Sequence, residues 1–211
     1  EKVQSTFNYN FDGDQIKTVT DFTYTNDALT QSDTYRNNVI TSDIAVAQRD
    51  VLRSVSVYTG NEGEEKVQST FNYNFDGDQI KTVTDFTYTN DALTQSDTYR
   101  NNIATGDIAL AERNVLRSVS VYTGNEGEEK VQTTYNYNFD GDQIKTVTEF
   151  TYEADALTQS DTYRNNTITA VIGEATKDVL RSVSVYTGNE GEEKVQSTFN
   201  YNFDGDQIKT V

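Results

Sequence analysis

Histidine, cysteine, methionine, proline and tryptophan are all missing from this chain of 211 residues, and each absence removes a class of chemistry. Without His or Cys there is no cysteine-ligated zinc or iron-sulfur site, no disulfide, no Ser-His-Asp or Cys-His nucleophile and no imidazole base. Carboxylate, Lys, Tyr, Ser and Thr side chains remain. Long apolar runs are missing too. None approaches the length of about 18 residues at which a spanning helix comes into question, so no such helix is expected. No basic-then-apolar leader opens the chain, so no signal peptide is expected within it. The chain opens at Glu1 and reads as an excised piece of a longer protein whose targeting signals lie elsewhere.

Positive charge is also scarce. With 17 Lys+Arg against 34 Asp+Glu the net charge is -17, so nucleic acid or an anionic membrane surface would repel the chain. Neither nucleic-acid binding nor membrane insertion is expected. Only 34% of residues are hydrophobic, a balance that with high charge usually means disorder, yet 14 Tyr, 10 Phe and the lack of proline point to a folded chain.

What is present is a tandem repeat. Glu1-Lys2-Val3-Gln4 recurs at Glu65, Glu129 and Glu193, at equal steps along the chain. Repeat 1 occupies residues 1–64, repeat 2 residues 65–128, repeat 3 residues 129–192, and a partial repeat 4 residues 193–211. A fixed period marks an array in which each unit buries its face against its neighbours. Copies one and two differ only at Val39/Ile103, Ile40/Ala104, Ser42/Gly106, Val46/Leu110, Gln48/Glu112 and Asp50/Asn114. Copy three departs furthest in the same window, Thr167 to Asp178, with mild changes elsewhere such as Phe7/Tyr135 and Asp21/Glu149. Val39, Ile40, Ser42, Val46, Gln48 and Asp50 therefore define a window that is either less demanding in its packing or a surface used for recognition.

Within a unit, Asp12-Gly13 signals a two-residue hairpin turn. That turn opposes Tyr9 to Ile16, Phe7 to Thr18, Ser5 to Thr20 and Val3 to Phe22, gathering Val3, Phe7, Tyr9, Phe11, Ile16, Phe22 and Tyr24 on one face. A second turn at Asn26-Asp27 sets Leu29 opposite Tyr24, and a third at Asn37-Asn38 sets Ile40 opposite Tyr35. The Asn61-Glu62-Gly63 loop then pairs Val57 with Val67 of the next copy. Ser42 to Arg53 reads either as a strand, favoured by β-branched residues and Gly173, or as a short helix capped by Ser42 or Asp43. Five strands per unit, or four plus a connector, follow from that choice. Either way the fold class is all-β: an antiparallel meander of hairpins in one continuous coiled or layered sheet. Its apolar face must be covered by folding over as a sandwich, barrel or spiral, or by a second chain.

The run Phe7-Asn8-Tyr9-Asn10-Phe11-Asp12-Gly13-Asp14-Gln15-Ile16 resembles the YD repeats of bacterial Rhs-type and related surface or secreted proteins. Tyr58-Thr59-Gly60-Asn61-Glu62-Gly63 and Phe22-Thr23-Tyr24-Thr25-Asn26-Asp27-Ala28-Leu29 are looser versions. The resemblance implies hairpins that coil into a continuous sheet, often a shell, displayed outside the cell.

Candidate chemistry is sparse. Asn8-x-Asn10-x-Asp12-Gly13-Asp14 resembles the opening of a calcium loop, but the twelfth position, which should carry a bidentate Glu, is Val19. Asp12, Asp14 and their counterparts Asp76, Asp78, Asp140 and Asp142 are thus weak metal candidates, and no cofactor other than calcium comes into question. Glu62, Glu64 and Glu65 would join Asp27 on one rim if the unit has four strands, or Asp12 if it has five. Catalysis would have to rest on the Asp12/Asp14 pair or on a buried Lys; neither is singled out, and no enzyme is expected. The expected role is a stalk, spacer or shell wall of a large bacterial surface or secreted protein, with adhesion through the variable window as the alternative. Flanking repeats of the parent protein are the expected partners, together with self-association through a sheet edge or the apolar face.

Overall fold

The computed structural model describes residues 1–211, in which fourteen strands account for nearly all regular structure. The strands are β1 (Ser5–Tyr9), β2 (Ile16–Thr25), β3 (Ala28–Arg36), β4 (Val51–Thr59), β5 (Lys66–Tyr73), β6 (Ile80–Thr89) and β7 (Ala92–Arg100). They continue as β8 (Val115–Thr123), β9 (Lys130–Tyr137), β10 (Ile144–Glu153), β11 (Ala156–Arg164), β12 (Val179–Thr187), β13 (Lys194–Tyr201) and β14 (Ile208–Thr210). Sheet order follows chain order from β1 to β14, an open antiparallel meander, as the alternating pattern implied. Four strands and one connector recur in each copy, so the fifth strand does not form. The chain divides into two compact units, Glu1–Phe86 with Thr98–Asn114 and Thr87–Asp97 with Val115–Val211, which do not follow the repeat boundaries.

Turn chemistry fixes the hairpins. Asn26 and Asp27 both take positive φ, 49° and 72°, which makes the two-residue turn whose twist matches that of its strands. It sets Tyr24 opposite Leu29, as the spacing predicts. The Asp12-Gly13 hairpin is wider than expected: only Gly13 has positive φ, the Asn10 and Gln15 backbones close the loop (N···O 2.8 Å), and Gly13 N–H donates to Asn10 O at 3.0 Å. Asn10 holds the loop through its side chain, whose Oδ1 accepts from Asp14 N (3.0 Å) and Gln15 N (3.1 Å). Phe11 therefore leaves the sheet and stands exposed at the tip. At the link between copies, Glu64 N–H donates to Asn61 O (2.9 Å) and Gly63 sits at φ 83°, a four-residue turn that needs a left-handed third residue.

The expected single aromatic face is split in two by β-bulges. Tyr9 does face Ile16, but one residue further Asn8 faces Thr18 and Phe7 faces Val19, because Lys17 is extra on its strand. An inserted residue reverses face parity for everything beyond it. Phe7, Tyr9, Ile16 and Val19 consequently share one face, and Thr18, Thr20, Phe22 and Tyr24 the other. A second bulge, between Val57 and Tyr58, makes Tyr58 and not Val57 the partner of Val67.

Each face has its own glue. On the first, Val55, Phe71, Ile80 and Val83 form a buried cluster, with Leu52, Val57, Tyr73, Ile108 and Ala111 against it. On the second, hydroxyl pairs bridge neighbouring strands, among them Thr20 with Thr34 and Ser56 with Thr70, both at 2.9 Å.

Candidate functional site

The segment between Arg36 and Val51 contains all six positions at which copies one and two differ, so it is the candidate site. It is neither strand nor helix in copy one, and copies two and three add only the three-residue 3-10 turns Ile108–Leu110 and Ile172–Glu174. Ile40 does not face Tyr35, whose partner is Leu52. The reason lies at Asn37. β3 ends at Arg36, but its line of bonds to β2 is continued by the connector: Asn37 N–H donates to Lys17 O (2.9 Å) and Asn37 Nδ2 to Ile16 O (2.9 Å), while Ile16 N–H donates to Thr41 O (2.7 Å). Asn37 Oδ1 accepts from Val39 N (3.2 Å) and Gln48 N (3.0 Å), closing the connector on itself. One buried amide thus organises both ends, and Asn101 and Asn165 repeat it.

The connector lies across the first face of the sheet. Ile108 and Ala111 rest on the Val55, Phe71, Ile80 and Val83 cluster. Tyr9, Tyr73 and Tyr137 hydroxyls donate to the carbonyls of Ser42, Gly106 and Ala170, a bond that ignores the side chain and so permits three different residues there. In copy one the far end is pinned by Arg49, which meets Asp21 at 2.5 and 3.0 Å, touches Ser5 Oγ and lies 5.8 Å from the Phe7 ring centre. The Arg49 guanidinium, helped by Ser5, holds the Asp21 carboxyl below the usual carboxylate range against the opposing effect of burial.

Copy three rebuilds that pin with changed parts. Lys177 bonds Glu149, which lifts its ammonium pKa, so a shorter-headed cation meets a longer carboxylate. Ser5/Thr133, Phe7/Tyr135 and Asp21/Glu149 are the changed positions around this one pair. In copy one all three positions touch Arg49, so these changes of copy three fall on a single contact.

The window positions divide accordingly. Asn37, Thr41, Ile44, Ala47 and their counterparts are the same in all three copies, and position 49 is always basic. Ile40, Ser42, Val46 and Asp50 vary and are exposed, while Val39 and Gln48 vary and are half-buried. The sequence missed Asn37, read as a turn residue; the available signal was the tendency of Asn to bond its own backbone two residues on.

The weak metal candidates lie at the hairpin tips, and the Asp78 backbone comes close enough to Gly106 of the second connector that a Cβ there would lie 2.8 Å from Asp78 O. Asp12 and Asp14 are exposed at the hairpin tip, with Asp14 Oδ1 accepting from Asn10 Nδ2 at 2.7 Å, a pairing repeated by Asp78 and Asp142. Asp76 and Asp140 occupy the Asp12 position in the next two loops. No three His, Cys, Asp or Glu side chains come together in a metal-ligand grouping. The four-strand form of the rim is present, but Lys2 sits in its middle, 2.9 Å from Asp27 and 3.6 Å from Glu62, and Lys130 does the same with Asp155 and Glu190. An ammonium already stands where a divalent cation would have to bind. Glu65 on the same rim accepts from Leu29 N (2.9 Å) and Gly63 N (2.9 Å), and these N–H groups hold its carboxyl below the usual range, Leu29 foremost. Asn165-Asn166-Thr167 has the spacing of an N-glycosylation acceptor, but Asn165 is buried and its amide engaged by Ile144 O, Thr167 O and Thr167 N.

No protein-family model and no curated protein matches the chain. Among solved structures, it is similar to a protein of unknown function from Bacteroides fragilis NCTC 9343, at 12% identity and a TM-score of 0.19, over 92% of this chain and 98% of that one. It is also similar to TcdB2-TccC3-TEV, at 12% identity and a TM-score of 0.18, over 87% of this chain and 13% of the other.

Proposed function

We propose that the chain is a structural repeat module, a stalk, spacer or shell wall of YD-repeat-like hairpins within a large bacterial cell-surface or secreted protein, and that it is not an enzyme. One observation carries the reading: β4 meets β5, β8 meets β9 and β12 meets β13 through the same six pairings, so each copy extends the sheet by the same means. Repeating a unit in this way adds length and stability without creating a unique pocket. Proteins of one, two and three copies test it. Scattering should give a constant increment in length per copy and denaturant melts a rising midpoint, with the lone copy unfolded or self-associating. A single copy that is monomeric and melts cooperatively would make the units independent beads and end this reading.

The outward, variable apolar side chains favour a second reading, adhesion to a glycan or a host-surface protein. Ile40 and Val46 in copy one and Ile168 and Val171 in copy three are all more than half exposed. Clustered exposed apolar residues are a common mark of interaction surfaces. Screening the chain on glycans and surface proteins separates the two roles. Binding lost when the copy-three window replaces the windows of copies one and two would favour adhesion over a pure spacer.

A further inference from the structure

On the second face of the sheet, away from the connector, a groove of about 650 Å³ opens among β10 to β13. No carboxylate lines it, although the chain carries 34 Asp+Glu against 17 Lys+Arg. Two guanidinium groups do. Arg164 lies 4.0 Å from the centre of the Phe203 ring and donates from Nη1 to Phe203 O (3.1 Å). Arg181 reaches the same groove as the extra residue of a bulge, since Leu180 faces Tyr163 and Ser182 faces Thr162. Bulges re-aim side chains in this way, often beside binding sites. Phe203 is 77% exposed, so with Arg164 on one side its other side is open. Thr162, Ser182 and Asn200 stand in register on three neighbouring strands. The interior of the array repeats this set. Arg36 lies 3.9 Å from the Phe75 ring centre and donates from Nη2 to Phe75 O (2.8 Å), and Phe75 is likewise 77% exposed. There Arg53 is the bulge residue, and Thr34, Ser54 and Asn72 are in register.

We propose that this groove binds an acidic saccharide, a chain of pyranose rings with carboxylates at intervals. The arginine pair holds a carboxylate, the hydroxyl and amide row meets sugar hydroxyls, and the open side of the phenylalanine receives the C–H face of a ring. Each part answers to one feature of that ligand. A guanidinium presents paired N–H groups matched to a carboxylate. Thr, Ser and Asn side chains both donate and accept, as vicinal hydroxyls require. Neighbouring strands are about 4.8 Å apart, close to the length of one pyranose residue. An aromatic face is negative and attracts C–H groups. An acidic peptide offers carboxylates but neither a ring with a C–H face nor vicinal hydroxyls. A densely sulfated chain would meet the net charge of -17 everywhere outside the groove, so charge complementarity favours a ligand whose anionic groups are sparse. The site is separate from the variable connector and does not rest on what the connector does.

Calorimetric titration of the full chain with a hyaluronan hexasaccharide, in which uronate and uncharged residues alternate, should show saturable binding. Methyl esterification of its carboxyl groups should weaken that binding by about tenfold or more, the worth of hydrogen bonds to a charged group. Arg53→Gln, Arg117→Gln and Arg181→Gln combined should do the same. These three side chains are exposed, so the variant should keep the urea midpoint of the parent. Phe75→Leu, Phe139→Leu and Phe203→Leu combined keep every charge and should still cost severalfold in affinity. Ile40→Ala should leave affinity unchanged, which separates the groove from the connector. Absence of saturable binding by the parent chain would overturn the proposal, as would equal affinity for the esterified sugar or an arginine or phenylalanine variant that binds as the parent does. So would a triglutamate peptide or a heparin hexasaccharide that binds more tightly than the hyaluronan.

Discussion

The strands and the connector obey different rules although both recur in every copy. In copies one and two the strands are identical residue for residue, because each side chain has one neighbour across the ladder and another on the same face. The connector is held instead at a few points, chiefly the Asn37 amide, the Thr41 carbonyl, in copy two the contact of Ile108 and Ala111 with the buried cluster, and the basic residue at 49. Between those points it is free to change. Variation in this chain thus reports where the sheet stops reading side chains and reads only backbone, as the Tyr9-to-Ser42 carbonyl bond illustrates.

If the sheet is the strict partner, the most harmful single changes are those that push it apart. Gly77 occupies φ 78° and a Cβ there would lie 2.6 Å from Leu52 N and 2.9 Å from Leu52 O, whereas Gly13 has φ 73° with nothing within 4 Å. Gly77→Val should cost about 3 kcal/mol or more, combining backbone strain with overpacking, against roughly 1–2 kcal/mol of strain alone for Gly13→Val. Urea unfolding of both variants checks the contrast. Equal costs would mean that the close approach to Leu52 does not matter.

At the connector, Asn101→Ala removes one side chain that serves Ile80 O, Ile103 O and Glu112 N. Leaving such buried groups without partners should cost about 2–3 kcal/mol. Hydrogen exchange should localise the loss to residues 101–114 and the start of β6. A uniform loss across β5 to β8 would make the connector part of the sheet's cooperative unit instead of an overlay.

Much of the strand layout was legible because turn residues announce themselves. Asn26-Asp27 and the Asn61 to Gly63 link lie where their chemistry places them, and Tyr9/Ile16 and Tyr24/Leu29 pair as spacing predicts. Bulges were not legible, since Lys17 looks like any outward strand residue and its insertion is decided by which of Thr18 and Val19 the sheet can bury. The connector was ambiguous for a related reason. Ser42 to Asp50 has no regular bonding of its own, and its path exists only once Ile16 and Lys17 offer backbone groups to Asn37 and Thr41. The variable window stands out in the sequence as a segment, but which of its residues face outward required the docked geometry.

The basic pin gives a smaller effect with a definite pH dependence. Asp21 has its pKa depressed by Arg49, so the pair contributes stability that is full above the unfolded carboxyl value of 3.8 and is lost as pH falls through the lower folded value. Arg49→Gln should therefore lower stability near pH 7 by about 0.5–1 kcal/mol, as partly exposed pairs do, and the difference from the parent should vanish in strong acid. Arg49→Lys combined with Asp21→Glu, the copy-three arrangement, should recover more than the two single changes suggest. A gap that persists below the folded value would assign the loss to packing on Phe7 instead.

A gain of similar size is available in copy three. Ala154 sits at φ 45°, where copies one and two place Asn26 and Asn90 at 49° and 50°. Asn tolerates the left-handed region better than Ala, so Ala154→Asn should stabilise the second compact unit by about 0.5–1 kcal/mol. Thermal melts at neutral pH suffice, and a neutral or negative result would mean that the turn is held by its neighbours regardless of residue.

The smallest effects belong to the outward positions, and their smallness is the sharpest statement of the comparison. Ile40→Ala, Val46→Glu and Gln48→Thr each import a residue already present at the same place in another copy. Ile40 and Val46 are 80% and 52% exposed, and Gln48 contributes its backbone N–H to Asn37, which Thr176 replaces without loss. Each change should shift stability by no more than about 0.5 kcal/mol, the usual range for surface sites that carry no special contact. Ala47→Glu, one residue from two of them, should cost several times more, because its counterpart Ala111 rests on the buried cluster of copy two. If Val46→Glu proved as damaging as Ala47→Glu, the window would be packed on both sides, and variation within it could not be read as freedom of the outer surface.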